Sequence, residues 1–157
     1  KKMWDEKTKL FYSLYSRREK PLRVKTVSSF IPIILDVDKG LVDAIVEEHL
    51  LNKKEFWTNY PIPSTAVDEE TFDPGHSILL WRGPTWISTN WLVWRGLLKH
   101  GHTDVAKELA KRTIELVKRS GFREYYNPFT GEGYGAKEFG WSTLVVDMIL
   151  SEKATKS

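Results

Sequence analysis

Cysteine is absent from the 157 residues, which excludes disulfides and thiolate metal sites and leads us to expect a reducing, cytoplasmic setting. Long apolar runs are missing too. None approaches the ~20 residues that cross a bilayer, and the opening KKMWDEKTKL lacks the apolar centre of a signal peptide, so a soluble chain with no membrane partner is expected. Charge of one sign is scarce: 24 Lys and Arg face 21 Asp and Glu, a net +3, with lysines scattered among glutamates. Without a basic stripe, no nucleic-acid partner is expected. His49, His76, His100 and His102 lack helical ligand spacing beside a carboxylate, so neither a metal nor another cofactor is expected. The GEGYG glycines follow no strand and miss the GxGxxG spacing of a phosphate loop.

What is present is globular material, 41% hydrophobic and 29% charged, enough for one core, so residues 1–157 are read as a single domain. Its periodicity is helical, in two alternating kinds. In 39–52, Leu41, Val42, Ile45, Val46 and His49 share a face opposite Asp43, Glu47 and Glu48; in 103–120, Val105, Leu109, Ala110, Thr113, Leu116 and Val117 oppose a Lys/Glu/Arg face. Thr103 is the expected N-cap of the latter and Gly121 its stop. The segments 28–35, 84–99 and 141–150 are apolar nearly all round, as helices buried on both sides are; Pro84 suits a first helical turn, and Pro32 marks a first turn or a kink. About five helices alternating inner and outer predict an all-α fold, part of a ring of helical hairpins, against the plainer alternatives of a bundle or solenoid. Residues 4–25 alternate like a short β-hairpin, with RREKP as its turn.

Chain exits from the apolar helices are short, whereas the entries, 53–83 and 121–140, far exceed the ~4–6 residues of an ordinary connection. Both long loops are therefore expected over one mouth of the ring. The first ends in LWRGPTWISTNW, three tryptophans with Arg82, Thr85 and Asn90. Flat rings beside hydrogen-bond donors suit sugars, whose C–H faces stack on aromatics while their hydroxyls find partners. On this reading Trp81 and Trp86 face the mouth, and Trp91 and Trp94 belong to the core. The second loop brings Glu124, Glu132 and Glu138 among aromatics. Glu124, flanked by Tyr125 and Tyr126 and followed by the Asn127-Pro128 turn, is a candidate acid or base for glycoside cleavage; the bland reading is a solvated surface charge.

WRGPTWISTNWLVWRGL followed by FREYYNPFTGEGYGAKEFGWS resembles the C-terminal part of the catalytic domain of glycoside hydrolase family 63 and its relatives, the processing α-glucosidases, glucosylglycerate and mannosylglycerate hydrolases and, more distantly, trehalases. WDEKTKLFYSLY, PLRVKTVSSFIPIIL and EEHLLNKKEFWTNYPIPSTAVDEETFDP extend the likeness over nearly the whole chain. The resemblance implies part of an (α/α)6 barrel and inverting hydrolysis of an α-glucosidic or α-mannosidic link, with two carboxyls ~6.5–9.5 Å apart. Position by position it makes Glu124 the general base. Trp81, Gly83, Thr85 and Trp86 become sugar contacts, with Arg82 and Asn90 supporting them; Tyr134 and Trp141 join the substrate site, and Glu132 is bonded within its own turn. The family's general acid is an aspartate upstream of everything matched, and Asp5 matches a different position. This chain is therefore expected to be incomplete and inactive alone, to bind a saccharide, and to need a protein partner, either the upstream half or a second copy. A non-catalytic carbohydrate-binding or purely structural helical remnant is the alternative.

Overall fold

The computed structural model of the protein describes residues 2–75 and 78–154. Two small antiparallel hairpins open the chain in place of the single one expected. β1 (Trp4–Asp5) pairs with β2 (Leu10–Phe11), and β3 (Leu14–Tyr15) pairs with β4 (Lys20–Pro21), the RREKP turn lying inside the second pair. Arg23 joins them: its guanidinium lies 2.6 Å from the Asp5 carboxylate and over the Tyr12 ring.

The expected inner helix at 28–35 is helical only as two 3-10 turns, Val27–Ser29 and Ile31–Ile34. Pro32, in the first positions of the second turn, has no N–H to donate, and Leu35 beyond it is already extended. Nor is the segment buried throughout, since Leu35 is 63% exposed. α1 (Lys39–Ala44) starts where Asp38 accepts from the Gly40 N–H and continues into a π-helical stretch, Ile45–Leu50.

α2 (Ile87–Lys99) begins three residues later than Pro84 suggests, because the backbone of Pro84 and Thr85 is used in pairing with other segments. α3 (Thr103–Ser120) has the expected bounds and ends at Gly121, whose φ of 74° suits glycine; His102 stands at the N-cap, where Thr103 was expected, and contributes no capping side chain. The loop at 121–140 is instead largely a hairpin, β5 (Arg123–Tyr126) with β6 (Gly133–Lys137), followed by a 3-10 turn, Gly140–Leu144, and α4 (Val145–Ala154).

α2 is the centre of the packing, contacting α3, α4 and the Ile31–Ile34 turn. Its buried face carries Ile87, Asn90, Val93, Trp94, Gly96 and Leu97, and α3 answers with Leu109, Ala110, Thr113 and Leu116. Trp94 is core as expected, while Trp91 is partly buried and donates from Nε1 to Asp147 at 2.8 Å. Asn90 has no exposed surface. Its amide donates to the Pro61 carbonyl at 2.7 Å and to Thr113 Oγ1 at 2.9 Å, and its oxygen accepts from the Ile62 N–H at 3.0 Å. A second polar brace lies at His49, between the Glu55 carboxylate at 2.6 Å and the Thr8 carbonyl at 2.7 Å, with Lys25 donating to Glu55 at 2.9 Å. No helix among the described residues is long and apolar enough to cross a membrane.

A Cβ on Gly96 would strike the Ile33 side chain and come within 3.0 Å of its backbone carbon. Gly96→Ala is expected to lower stability by about 1–3 kcal/mol through overpacking, measured as a shifted urea midpoint with unchanged slope. Asp5 gives a pH signature. Its hydrogen bond from Arg23, then that from the Thr8 N–H, hold its pKa at about 2 against the ordinary 3.8. The folded state thus gains from this group above pH ~4 and loses the gain as pH falls through about 2. The stability difference between wild type and Asp5→Asn, followed by thermal melts, should be present at pH 5 and vanish near pH 2.

Candidate active site

Three segments distant in sequence meet through Thr85. Its N–H donates to the Tyr126 carbonyl at 2.8 Å, and the Tyr126 N–H returns a bond at 2.9 Å; on its other side Thr85 bridges to Pro63. Next to it the Ser64 N–H donates to the Pro84 carbonyl at 3.0 Å. Gly83 allows the backbone to come close enough, since a Cβ there would lie 2.6 Å from the Asp73 carbonyl oxygen.

This seam sets the aromatic rings side by side. Trp81 stacks on Trp86 with centroids 4.1 Å apart and planes 5° from parallel. Trp86 in turn lies 5.1 Å from Tyr125 and 6.1 Å from Trp141, Tyr125 lies 6.1 Å from Tyr134, and Phe139 packs edge-on against Trp141 at 5.5 Å. The tilted and edge-on pairs fall within the ~4.5–7 Å separations that suit ring quadrupoles, while the nearly parallel Trp81–Trp86 pair is closer. Trp81 is 49% exposed and Trp141 51%, whereas Trp86 is only 3% exposed. The expectation that Trp86 faces the mouth is corrected: it backs Trp81, which faces outward.

Glu124 closes the row. Its Oε2 accepts from the Ala136 N–H across the hairpin at 3.0 Å, and its other oxygen makes no hydrogen bond among the described residues. Gly135, with φ of 66°, makes room: a Cβ there would fall against the Glu124 carboxylate and 2.8 Å from the Tyr125 ring. Carboxylate and ring thus share one corner. Electrostatics agree, because burial and then the Glu124 charge push the Tyr125 phenol above its ordinary pKa of 10. Burial also raises Tyr134, whose hydroxyl donates to Glu132 Oε2 at 3.0 Å and lies 3.5 Å from the Asn127 amide. Glu132 is held within its turn, its N–H donating to Thr130 Oγ1 at 3.2 Å.

The other expected contacts sort differently. Thr85 has no exposed surface and donates its hydroxyl to the Tyr60 carbonyl at 2.8 Å, which corrects its assignment as a sugar contact. Buried Gly83 gives its N–H to Ser64 Oγ at 3.0 Å, and the Asn90 side chain is consumed inside the core. Arg82 is exposed, holding position through backbone bonds to Leu79 and Asp73. His49, His100 and His102 bond to Glu55, the Ile33 carbonyl and Asp43; His76 lies outside the described residues. Sequence reading missed Tyr125 as the link between indole and carboxylate, and missed the Ala136 N–H. The one available signal was GYG opposite EYY in a stretch able to fold back on itself.

Residues 1–142 match the family described as the mannosylglycerate hydrolase MGH1-like glycoside hydrolase domain. The chain belongs to this family. It is 33% identical over 147 residues to a mannosylglycerate hydrolase of Thermus thermophilus, covering 91% of this chain and 34% of that protein. It is 27% identical to a probable mannosyl-oligosaccharide glucosidase of Schizosaccharomyces pombe, covering 95% of this chain and 21% of the other. Among solved structures, the family 63 mannosylglycerate hydrolase of Thermus thermophilus in complex with glucose superposes with a TM-score of 0.83 at 31% identity, over 95% of this chain and 36% of that one. Neutral trehalase of Saccharomyces cerevisiae, TM-score 0.73 at 20% identity and covering 95% of this chain and 27% of that one, shares the fold. The chain spans about a third or less of the length of these relatives.

The corner at Gly135 gives a test independent of activity. Glu124→Gln removes a negative charge beside the Tyr125 phenol, so Tyr125 should titrate at lower pH in the variant, followed by tyrosine ring resonances in NMR. An unchanged titration would place the carboxylate elsewhere.

Proposed function

We propose that this chain is the portion of an inverting α-glycoside hydrolase that carries the general base and the aromatic wall of the sugar site, in the C-terminal part of an (α/α)6 barrel. The observation that carries the reading is the Glu124 carboxylate, fixed by the Ala136 N–H, with one oxygen unengaged among the described residues, at the end of the Trp81, Trp86 and Tyr125 row. A carboxylate anchored through one oxygen is oriented, and the other can take a proton from a water attacking the anomeric carbon. The opposite face of the sugar needs a proton donor, which we assign to a carboxylic acid outside this chain. Trp81 and Trp141 supply ring faces, Trp86 and Tyr125 hold them, and Tyr134 flanks the base. The glycosidic link is α-glucosidic or α-mannosidic, the two kinds of sugar named among the relatives.

Exposed apolar surface supports a partner. A groove of about 970 Å³ is lined by Met3, Phe11, Leu14, Ile31, Ile34 and Leu35, and Val146 and Leu150 of α4 are also exposed. Exposed apolar residues on the groove and on α4 together suit a covering segment. We assign that cover to the remainder of the family's catalytic domain, because the relatives are about three times as long.

With the acid-bearing part supplied, Glu124→Gln should lower kcat by about 10²–10⁴-fold, the usual contribution of a positioned base, while leaving glycoside affinity within two-fold. Steady-state hydrolysis of glucosylglycerate and mannosylglycerate reads both. An unchanged kcat would remove Glu124 from the mechanism.

A further inference from the structure

Two glycines of GEGYG lie beneath side chains of β5. A Cβ on Gly133 would fall against the Arg123 stem, as one on Gly135 would against the Glu124 carboxylate. The pairing of the two strands is irregular at this place. Arg123 pairs with Lys137 and Tyr125 with Tyr134, so that Gly135 and Ala136 together stand opposite Glu124. One extra residue on β6, with Gly135 at a φ of 66°, makes a bulge led by a left-handed glycine, and such bulges re-aim groups beside functional sites.

What this bulge re-aims is a peptide group. The Gly135 carbonyl accepts from Arg123 Nη2 at 2.9 Å, and the N–H of the same peptide unit, that of Ala136, donates to Glu124 Oε2 at 3.0 Å. A trans peptide unit is a rigid plate whose oxygen and hydrogen point in opposite directions, so fixing the carbonyl aims the N–H. Consecutive strand residues project to opposite sides, which lets Arg123 and Glu124 hold the two edges of one plate. The bonds also reinforce each other. A cation on the carbonyl draws charge through the amide and makes its N–H a stronger donor to an anion. Arg123 forms no ion pair among the described residues, and its Nε is buried without a hydrogen-bond partner among them. A buried donor left unpaired is unfavourable, so the guanidinium is not placed there for the sake of its own contacts.

We propose that Arg123 is a positioning residue for the general base, acting through the Gly135–Ala136 peptide to hold and polarise the N–H that orients Glu124. This rests on the hydrolase reading and adds to it the group that sets the direction of the base.

Arg123→Met keeps an apolar stem over Gly133 and removes the donor, whereas Arg123→Lys keeps a charged one. Amide NMR of the isotopically labelled protein reads the relay directly. The Ala136 N–H resonance should move upfield in Arg123→Met and in Glu124→Gln, and less in Arg123→Lys, while the Thr85 and Tyr126 amides of the seam hold their positions. With the acid-bearing part supplied, Arg123→Met should lower kcat about ten-fold with KM within about two-fold, and Arg123→Lys should recover about half or more of the loss. Arg123→Met/Glu124→Gln should be no slower than Glu124→Gln alone, since a residue that works through another adds nothing once that one is gone. An unmoved Ala136 resonance, a lysine variant as slow as the methionine one, or losses that multiply in the double variant overturn the assignment. Movement of the Thr85 and Tyr126 amides in Arg123→Met would make Arg123 a residue of the fold and overturn it equally. If Arg123→Met keeps full kcat while Glu124→Gln loses it, the positioning role falls and the hydrolase reading stands; if Glu124→Gln keeps full kcat, both fall.

Discussion

The reciprocal pair of backbone bonds between Thr85 and Tyr126 is the constraint on which the site depends. A buried peptide group must find a partner, and Thr85 finds them on both sides, Tyr126 on one and Pro63 on the other. The residues that follow from this register are those of the candidate site. Because Thr85 is paired to Tyr126, its neighbour Trp86 must lie beside Tyr125, and Tyr125 is the ring against which the Glu124 carboxylate rests. A tryptophan and a glutamate 38 positions apart in sequence are brought into register by two backbone hydrogen bonds.

The same seam needs support from beneath, and Asn90 supplies it. A primary amide with no exposed surface would be costly if left unpaired, but its amide group donates to Pro61 and Thr113 and its oxygen accepts from Ile62. Those bonds pin the start of the Pro61–Thr65 stretch to α2 and α3 together, directional work that an apolar side chain could not do. Thr113 completes the set by donating to the Leu109 carbonyl at 2.7 Å, so that no polar atom of the pair is left over.

Legibility in the sequence followed the range of the interactions. α3 was readable over its length and to the residue at its C-terminal end, because its apolar stripe, charged face and terminal Gly121 are all local signals, while its N-cap fell one residue earlier, at His102. The start of α2 was not, since Pro84 obeys the local rule for a first turn while the backbone there is claimed by segments twenty and forty residues away. Nor was the 28–35 segment, where apolar residues all round are as compatible with tight 3-10 turns around Pro32 as with an α-helix. At the candidate site, the density of tryptophan and the EYYNP stretch picked out residues that do lie side by side, Trp81 and Trp86 next to Tyr125 and Glu124. That Trp86 is covered was hidden, because one of the rings that cover it, Tyr125, comes from a strand 39 positions further along the chain.

Half-exposed indoles carry a cost in water, and the way they are held explains how the fold tolerates it. Trp81 is clamped nearly parallel to Trp86 at 4.1 Å, and Trp141 is wedged between Trp86 and the edge of Phe139. Each exposed ring thus buries one side and loses its rotational freedom on folding, before any ligand arrives. A sugar that stacks on such a surface gains contact without having to order it, the condition under which a small, strongly hydrated ligand can bind at all. In the proposed function the buried members of the row, Trp86 and Tyr125, are therefore as necessary as the exposed ones, although neither has more than a few per cent of its surface open to solvent.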